Sequence, residues 1–338
     1  MKKIAVGFVI FIVTLICIPL SFQVIYQAQS PETDFNPPQS LAITKEQNEE
    51  ENQEEEGTNE QIVTVFREAK NESIELPLET YLIGVVSGEM PALYDLEALK
   101  AQAVAARTYT IQLLESQDAI HDTVKHQVYL DNEQLKEKWQ DKFDEYYGKV
   151  SQAVQETAGE IITYQDELIK PFYFSISNGY TENSEDYWST SYPYLKSVNS
   201  EWDKTAPNYE VQTEFTLDEL RNKFNNKSLT KDSFVILNKT EGKNVNEILV
   251  GDKVYSGREF REILGLRSAD FSLTFNDNKV IITTYGYGHG VGMSQYGANE
   301  LAKQGKNYRD IINHYYQNVN IIEKKLLILN KMGKMWSS

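Results

Sequence analysis

The chain has 338 residues, 50 of them acidic and 33 basic, and its net charge of −17 argues against nucleic acid or an anionic membrane surface as the ligand, since both are held by clustered Lys and Arg. One cysteine, Cys17, leaves no disulfide framework and no thiolate cage for a metal. Aromatic residues make up 12% of the chain, core material enough for one large domain or two closely packed ones.

Residues 4–25 form an almost uninterrupted apolar run of bilayer-spanning length behind Lys2 and Lys3. A cleaved signal peptide is the alternative, but the run exceeds the roughly 7–15 residues of a signal core and no small-x-small site follows it. The reading is one retained transmembrane helix, residues 1–26, with the two lysines on the cytoplasmic side and the rest of the chain extracytoplasmic. Residues 27–60, with acidic runs at 49–51 and 54–56 among Gln, Asn and Pro, read as an acidic flexible tether. The folded domain is expected over 61–322, and 323–338 reads as a dispensable tail.

Strands are expected at 62–66 and 74–78, a hairpin around Lys70-Asn71-Glu72 that leads into the apolar segment 81–86. Ser87-Gly88-Glu89-Met90-Pro91 follows, one carboxylate between apolar residues and a proline break. Desolvation in such a place raises a carboxyl pKa, which suits a general acid working near neutral pH. The plainer alternative is a cap for the next helix, which already has Asp95 at its start. The Ala-rich stretch 96–114 predicts a long buried helix with Lys100, Val104, Arg107 and Ile111 on one stripe. Arg107 either pairs with a carboxylate or meets substrate.

His121 and His126 lie five apart, off a shared helix face, so zinc is not expected; the reading includes no metal and no cofactor. A second long helix is expected over 132–158 and strands over 160–164 and 172–177. The polar stretch 175–188 mixes small hydroxyls, Asn178-Gly179, carboxylates and two aromatics, a composition that suits a sugar-binding wall or an ordinary loop. Residues 200–278 carry expected helices at 216–224 and 257–264 and strands at 233–237, 248–250 and 271–275, without a catalytic constellation.

The strand-like 280–284 runs into Tyr285-Gly-Tyr-Gly-His-Gly-Val-Gly-Met-Ser-Gln-Tyr-Gly-Ala298. Four glycines alternate with Tyr287, His289 and Val291, a loop built for positive φ and close backbone approach, and it reads as a site. It fits neither the dinucleotide fingerprint nor the nucleophile elbow, because Tyr296 stands where the elbow's last glycine belongs. Helices are expected from 294 or 295 to 303 and over 308–316.

Three separated stretches, Gly88-Glu-Met-Pro91 with the helix 98–109, Ser177-Asn-Gly-Tyr-Thr181, and residues 288–298, together resemble the stage II sporulation protein D family over about residues 60–322. Asn178 stands where many relatives have glycine; Asn tolerates left-handed backbone. The expected fold is α+β: mixed helices and small sheets in a two-lobed extracytoplasmic domain with a central groove. The resemblance implies a peptidoglycan lytic transglycosylase that cuts glycan strands already stripped of stem peptides. It puts the catalytic glutamate at Glu89, with Arg107, Ser177, Thr181, His289, Ser294, Gln295 and Tyr296 as groove residues. A hydrolase would need a second carboxylate, for which Glu182, Glu185 and Asp186 are nearest by motif. A Ser294–His289 nucleophilic pair lacks an elbow and an orienting acid. The alternative class is a non-catalytic glycan-binding activator of a cell-wall amidase. The partners the resemblance implies are the amidase stage II sporulation protein P and the multi-span stage II sporulation protein M, in the sporulation septum between mother-cell and forespore membranes during engulfment.

Overall fold

The computed structural model describes residues 61–276 and 279–327, so the expected anchor, the tether and the tail beyond 327 lie outside the described residues. Among the described residues no helix is long and apolar enough to cross a membrane.

The domain opens with the expected hairpin. β1 (Ile62–Arg67) and β2 (Glu72–Pro77) pair antiparallel, with Ile62 opposite Pro77 and Asn71 at positive φ in the turn. The apolar segment that follows is α1 (Leu78–Glu89), in which every residue from 81 to 87 is buried. A helix buried on all sides shows no 3.6-residue period, which is why the sequence there reads only as apolar. α2 (Leu96–Leu114) spans the residues expected, and the Asp95 carboxylate caps it by accepting from the Glu97 N–H at 3.0 Å.

β3 (Ile120–His121) adds in parallel to β1. The long helix expected over 132–158 is broken in two. α3 (Asn132–Trp139) ends at Gln140, whose φ of 49° no right-handed helix accepts, and α4 (Phe143–Gln155) resumes after one 3₁₀ turn. Buried Trp139 folds edge-on against Tyr146, so the break packs α3 onto α4.

Next come β4 (Glu160–Tyr164), β5 (Glu167–Leu168), β6 (Tyr173–Phe174) and α5 (Ser184–Trp188). β7 (Glu210–Thr216), α6 (Leu217–Lys223), β8 (Phe234–Lys239), β9 (Val245–Val250), β10 (Lys253–Ser256), α7 (Gly257–Leu264) and β11 (Phe271–Asn276) fill the middle of the chain. β12 (Lys279–Tyr285), β13 (Met293–Ser294), α8 (Gln295–Lys303), α9 (Tyr308–Tyr315) and β14 (Asn320–Glu323) complete it.

The sheets are small, and the fold is α+β as expected. Their orders are β2-β1-β3, β14-β4-β5, β13-β6, β11-β12-β7 and β10-β9-β8. Two hydrophobic cores form. In the first, α2 is the centre: its alanines at 98, 101, 103, 105 and 106 are fully buried, and without bulk there α1, α4, α8, α9 and β4 all pack against it. The second lies between the β7–β12 strands and α6 and α7, where Phe224, Phe260 and Phe271 stack in succession. The expected tail begins inside the fold, since Glu323 pairs with Glu160 and Leu327 is buried in the first core.

Candidate active site

Glu89 is the last residue of α1, and two glycines earlier on that helix set its surroundings. A Cβ on Gly84 would lie 2.3 Å from the Tyr129 ring, and one on Gly88 would lie 2.5 Å from the Val128 carbonyl oxygen. Four residues apart, they share one helix face and leave a track along it. The extended segment 128–130 lies in that track, with the Leu130 N–H donating to the Gly84 carbonyl at 3.3 Å. The same segment brings the Val128 N–H to Glu89, where it donates to Oε1 at 2.7 Å.

Glu89 stands in the middle of this as a half-buried side chain whose carboxyl is largely walled off from water. Burial pushes its pKa up to about 7, outweighing the Val128 N–H and the nearby Lys138 ammonium, both of which favour the charged form. Lys138 donates Nζ to the Ser87 carbonyl at 2.9 Å, and burial lowers its own pKa against the pull of Glu89. Burial raises the pKa of Tyr81, Tyr109 and Tyr173, and the Glu89 charge adds to each rise. The Tyr173 hydroxyl donates to Gln127 Oε1 at 3.2 Å, and Gln127 Nε2 donates to Thr110 Oγ1 at 2.9 Å. Adjacent residues 127 and 128 therefore fix a phenol and a carboxyl of one site.

Gln295 arrives from the far end of the chain. Its Nε2 donates to the Glu89 backbone carbonyl at 3.0 Å, so it anchors the end of α1 rather than touching the carboxyl. The glycine loop delivers it there. Gly286, Gly288, Gly290 and Gly292 all have positive φ, from 78° to 124°. A Cβ on Gly292 would lie 2.0 Å from the Phe172 carbonyl oxygen. The loop runs tight against residues 172–182: Tyr287 and Ile176 exchange backbone bonds at 2.7 and 3.0 Å, the Glu182 N–H donates to the Gly290 carbonyl at 2.7 Å, and β13 pairs in parallel with β6.

The other residues expected at the site are engaged within the protein. Arg107 is fully buried, its Nε and Nη2 paired to the two oxygens of Glu79 at 2.9 and 2.7 Å, with the Glu160 and Val154 carbonyls as further acceptors. It takes the carboxylate-pairing alternative. Ser177 is buried, its Oγ accepting from the Gly179 N–H at 3.1 Å. Thr181 is buried and bridges the Lys196 carbonyl and the Val198 N–H at 3.2 and 2.9 Å. Ser294 caps α8 by accepting from the Gly297 N–H at 3.1 Å, and the Tyr296 hydroxyl lies 3.2 Å from Thr205 Oγ1. Asn178 keeps negative φ; its amide donates to the Gly242 carbonyl at 2.8 Å and to Asp270 at 3.1 Å.

His289 sits in a box of Phe172, Phe174, Tyr187 and Trp188. Its Nδ1 accepts from the Val291 N–H at 3.0 Å, and burial drops its pKa to about 3, so the ring stays neutral. With Ser294 engaged as a cap, the two do not form a nucleophilic pair. Glu182, Glu185 and Asp186 line a cavity of about 530 Å³ with Thr240, Asn244 and Arg258, and Glu89 is not in its walls. Burial raises Glu182 to about 7, yet both its oxygens are engaged, by the Asn183 N–H at 3.1 Å and the Thr240 hydroxyl at 2.5 Å. Among the described residues no group of three or more His, Cys, Asp and Glu could hold a metal ion.

Sequence reading missed Gln127, Val128, Lys138 and Tyr173. Val128 acts through a backbone N–H, which leaves no side-chain signature, but the Gly84–Gly88 spacing is a legible sign that another backbone lies against α1.

A family model described as Stage II sporulation protein matches residues 67–164. The chain is 43% identical over 281 residues to Stage II sporulation protein D of Bacillus amyloliquefaciens, covering 80% of this chain and 82% of that one. It is 44% identical over 283 residues to Stage II sporulation protein D of Bacillus subtilis strain 168, with the same coverage of 80% and 82%. It is also 30% identical over 291 residues to an amidase enhancer of Bacillus subtilis strain 168, covering 70% of this chain but 39% of that protein. With four-fifths of its length aligned at more than 40% identity, the chain belongs to the stage II sporulation protein D family.

Proposed function

We propose that the chain acts in sporulation as a membrane-anchored lytic transglycosylase, cleaving peptide-free glycan strands of peptidoglycan outside the cytoplasmic membrane. The observation that carries this reading is the Glu89 carboxyl, held by one N–H and desolvated to a pKa of about 7, so that it can give and take a proton near neutral pH. Protonated Glu89 donates to the glycosidic oxygen as the C1–O bond breaks, releasing a 4-hydroxyl end. The carboxylate then takes the proton from the same sugar's 6-hydroxyl, whose oxygen closes on C1 to give a 1,6-anhydro end. No water enters the balance and no second carboxylate is needed, which accords with a Glu182 engaged elsewhere. The septal setting and the partnership with stage II sporulation proteins P and M belong to the same proposal.

Glu89→Gln keeps the shape and the Val128 bond while removing the proton, so turnover of peptide-free glycan is expected to fall below detection in a protein that still folds and binds glycan. Cleavage at close to the parent rate would remove Glu89 from the chemistry. The likeness to an amidase enhancer favours a second reading, a glycan-binding activator of a cell-wall amidase. On that reading Glu89→Gln would leave amidase stimulation intact.

A further inference from the structure

Of the seven arginines among the described residues, Arg67, Arg107, Arg221, Arg258 and Arg309 each pair with a carboxylate, and Arg261 donates to the Leu266 carbonyl and the Tyr187 hydroxyl. Arg107 does so with Nε and Nη2, one to each oxygen of Glu79. Arg267 presents the same two nitrogens, shielded from solvent, with no acceptor among the described residues. In a chain with 50 acidic and 33 basic residues, an arginine without a carboxylate is not for want of candidates. Its guanidinium lies over the Tyr287 ring, 4.3 Å from the centroid. The backbone beneath both is pinned: Gly288 N–H donates to the Arg267 carbonyl at 3.0 Å, Arg261 Nε to the Leu266 carbonyl at 3.2 Å, and the Ser268 hydroxyl to the Tyr285 carbonyl at 2.6 Å. A rigidly mounted guanidinium with two dry, unpaired donors gains from any planar anion that reaches it.

We propose that Arg267 and Tyr287 form a carboxylate-binding subsite on the glycine loop, in which Nε–H and Nη2–H each donate to one oxygen of a ligand carboxylate. The half-buried Tyr287 ring lies over one face of the guanidinium and leaves the in-plane edge, from which Nε–H and Nη2–H donate, for the carboxylate. Resting on the glycan reading above, the carboxylate is the lactyl group of muramic acid. That group carries two charged oxygens only where the stem peptide is gone; an amide-linked lactyl carbonyl offers one neutral oxygen. Arg267 thereby reads the absence of the peptide.

The test uses the full-length Glu89→Gln protein, which binds without turnover. Titration with D-lactate is expected to move the Arg267 Nε–H resonance, assigned by its loss in Arg267→Lys, in a saturable way. A peptide-free muramic acid–glucosamine tetrasaccharide is expected to bind at least about tenfold tighter than chitotetraose, which lacks the carboxylates. Adding Arg267→Lys, or Arg267→Gln should the lysine variant fail to fold, is expected to bring that ratio to about one with chitotetraose affinity unchanged. A resonance unmoved by lactate, or a ratio that survives both substitutions, overturns the subsite. Lactate binding with neither glycan bound would leave the subsite standing and overturn the glycan reading. Equal binding of both glycans would overturn the lactyl assignment alone.

Discussion

At the scale of the residue, the Glu89 carboxyl that the proposed chemistry relies on also burdens the fold. Its carboxyl is raised from 4.5 to about 7 by burial. Below about 4.5 it is protonated in both folded and unfolded chains; between 4.5 and 7 only the unfolded chain ionises; above 7 both do. The raised pKa therefore lowers stability as pH climbs through that window, by up to roughly 3 kcal/mol above pH 7. Burial raises Glu182 to about 7 and Asp203 to about 6, and these add the same slope in parent and variant, so a difference isolates Glu89. Glu89→Gln is expected to match the parent in urea unfolding at pH 4 and to exceed it by a few kcal/mol at pH 8. Equal stabilities at both values would mean that the carboxyl is not desolvated. The proposed acid step needs the protonated form, so on that mechanism cleavage is expected to decline as pH rises above about 7.

Among the elements, α1 does the positioning. Gly88→Ala gains about 1 kcal/mol of helix propensity, but its Cβ would lie 2.5 Å from the Val128 carbonyl oxygen, an overpacking that costs about 1–3 kcal/mol. The clash prevails. The segment 128–130 is expected to shift, taking the Val128 N–H off Glu89, and cleavage to fall at least about tenfold in a folded protein; unchanged turnover would mean the track does not set the carboxyl. Arg107 ties α2 to the first turn of α1 and to the end of α4. Arg107→Ala should cost about 2–3 kcal/mol in denaturant unfolding by removing the fully buried guanidinium together with its bonds to Glu79 and to the Val154 and Glu160 carbonyls, and a loss below about 0.5 kcal/mol would contradict that keystone role. Two capped helices were legible: Asp95 before α2 and Ser294 before α8 marked their starts because a cap is a local bond between near neighbours. α1 was not, being buried all round, and neither was the break at Gln140, where tertiary packing of Trp139 overrides good helix formers.

Across the whole molecule, the residues of the candidate site come from stretches that no local pattern joins. Glu89, Val128, Tyr173 and Gln295 meet because the glycine loop runs against residues 172–182 and α2 gathers the helices of the first core. The motif at 88–91 and the alternating glycines were visible in the sequence. The inward roles of Ser177, Thr181, His289 and Ser294 were not, since a hydroxyl or imidazole that completes a buried bond looks the same in a sequence as one that waits for a sugar. The second core carries no part of the Glu89 site, yet Arg267, next to its Leu266, lies against Tyr287 and Gly288 of the glycine loop. The claim that joins these levels is that one carboxyl suffices because the sugar's own 6-hydroxyl replaces water. It is tested most directly by digesting peptide-free glycan with the full-length protein in oxygen-18 water and weighing the new ends. The expected ends are 1,6-anhydro muramic residues, unlabelled and lighter by one water than a hydrolytic product; labelled reducing ends as the main product would contradict the account, even with Glu89 essential.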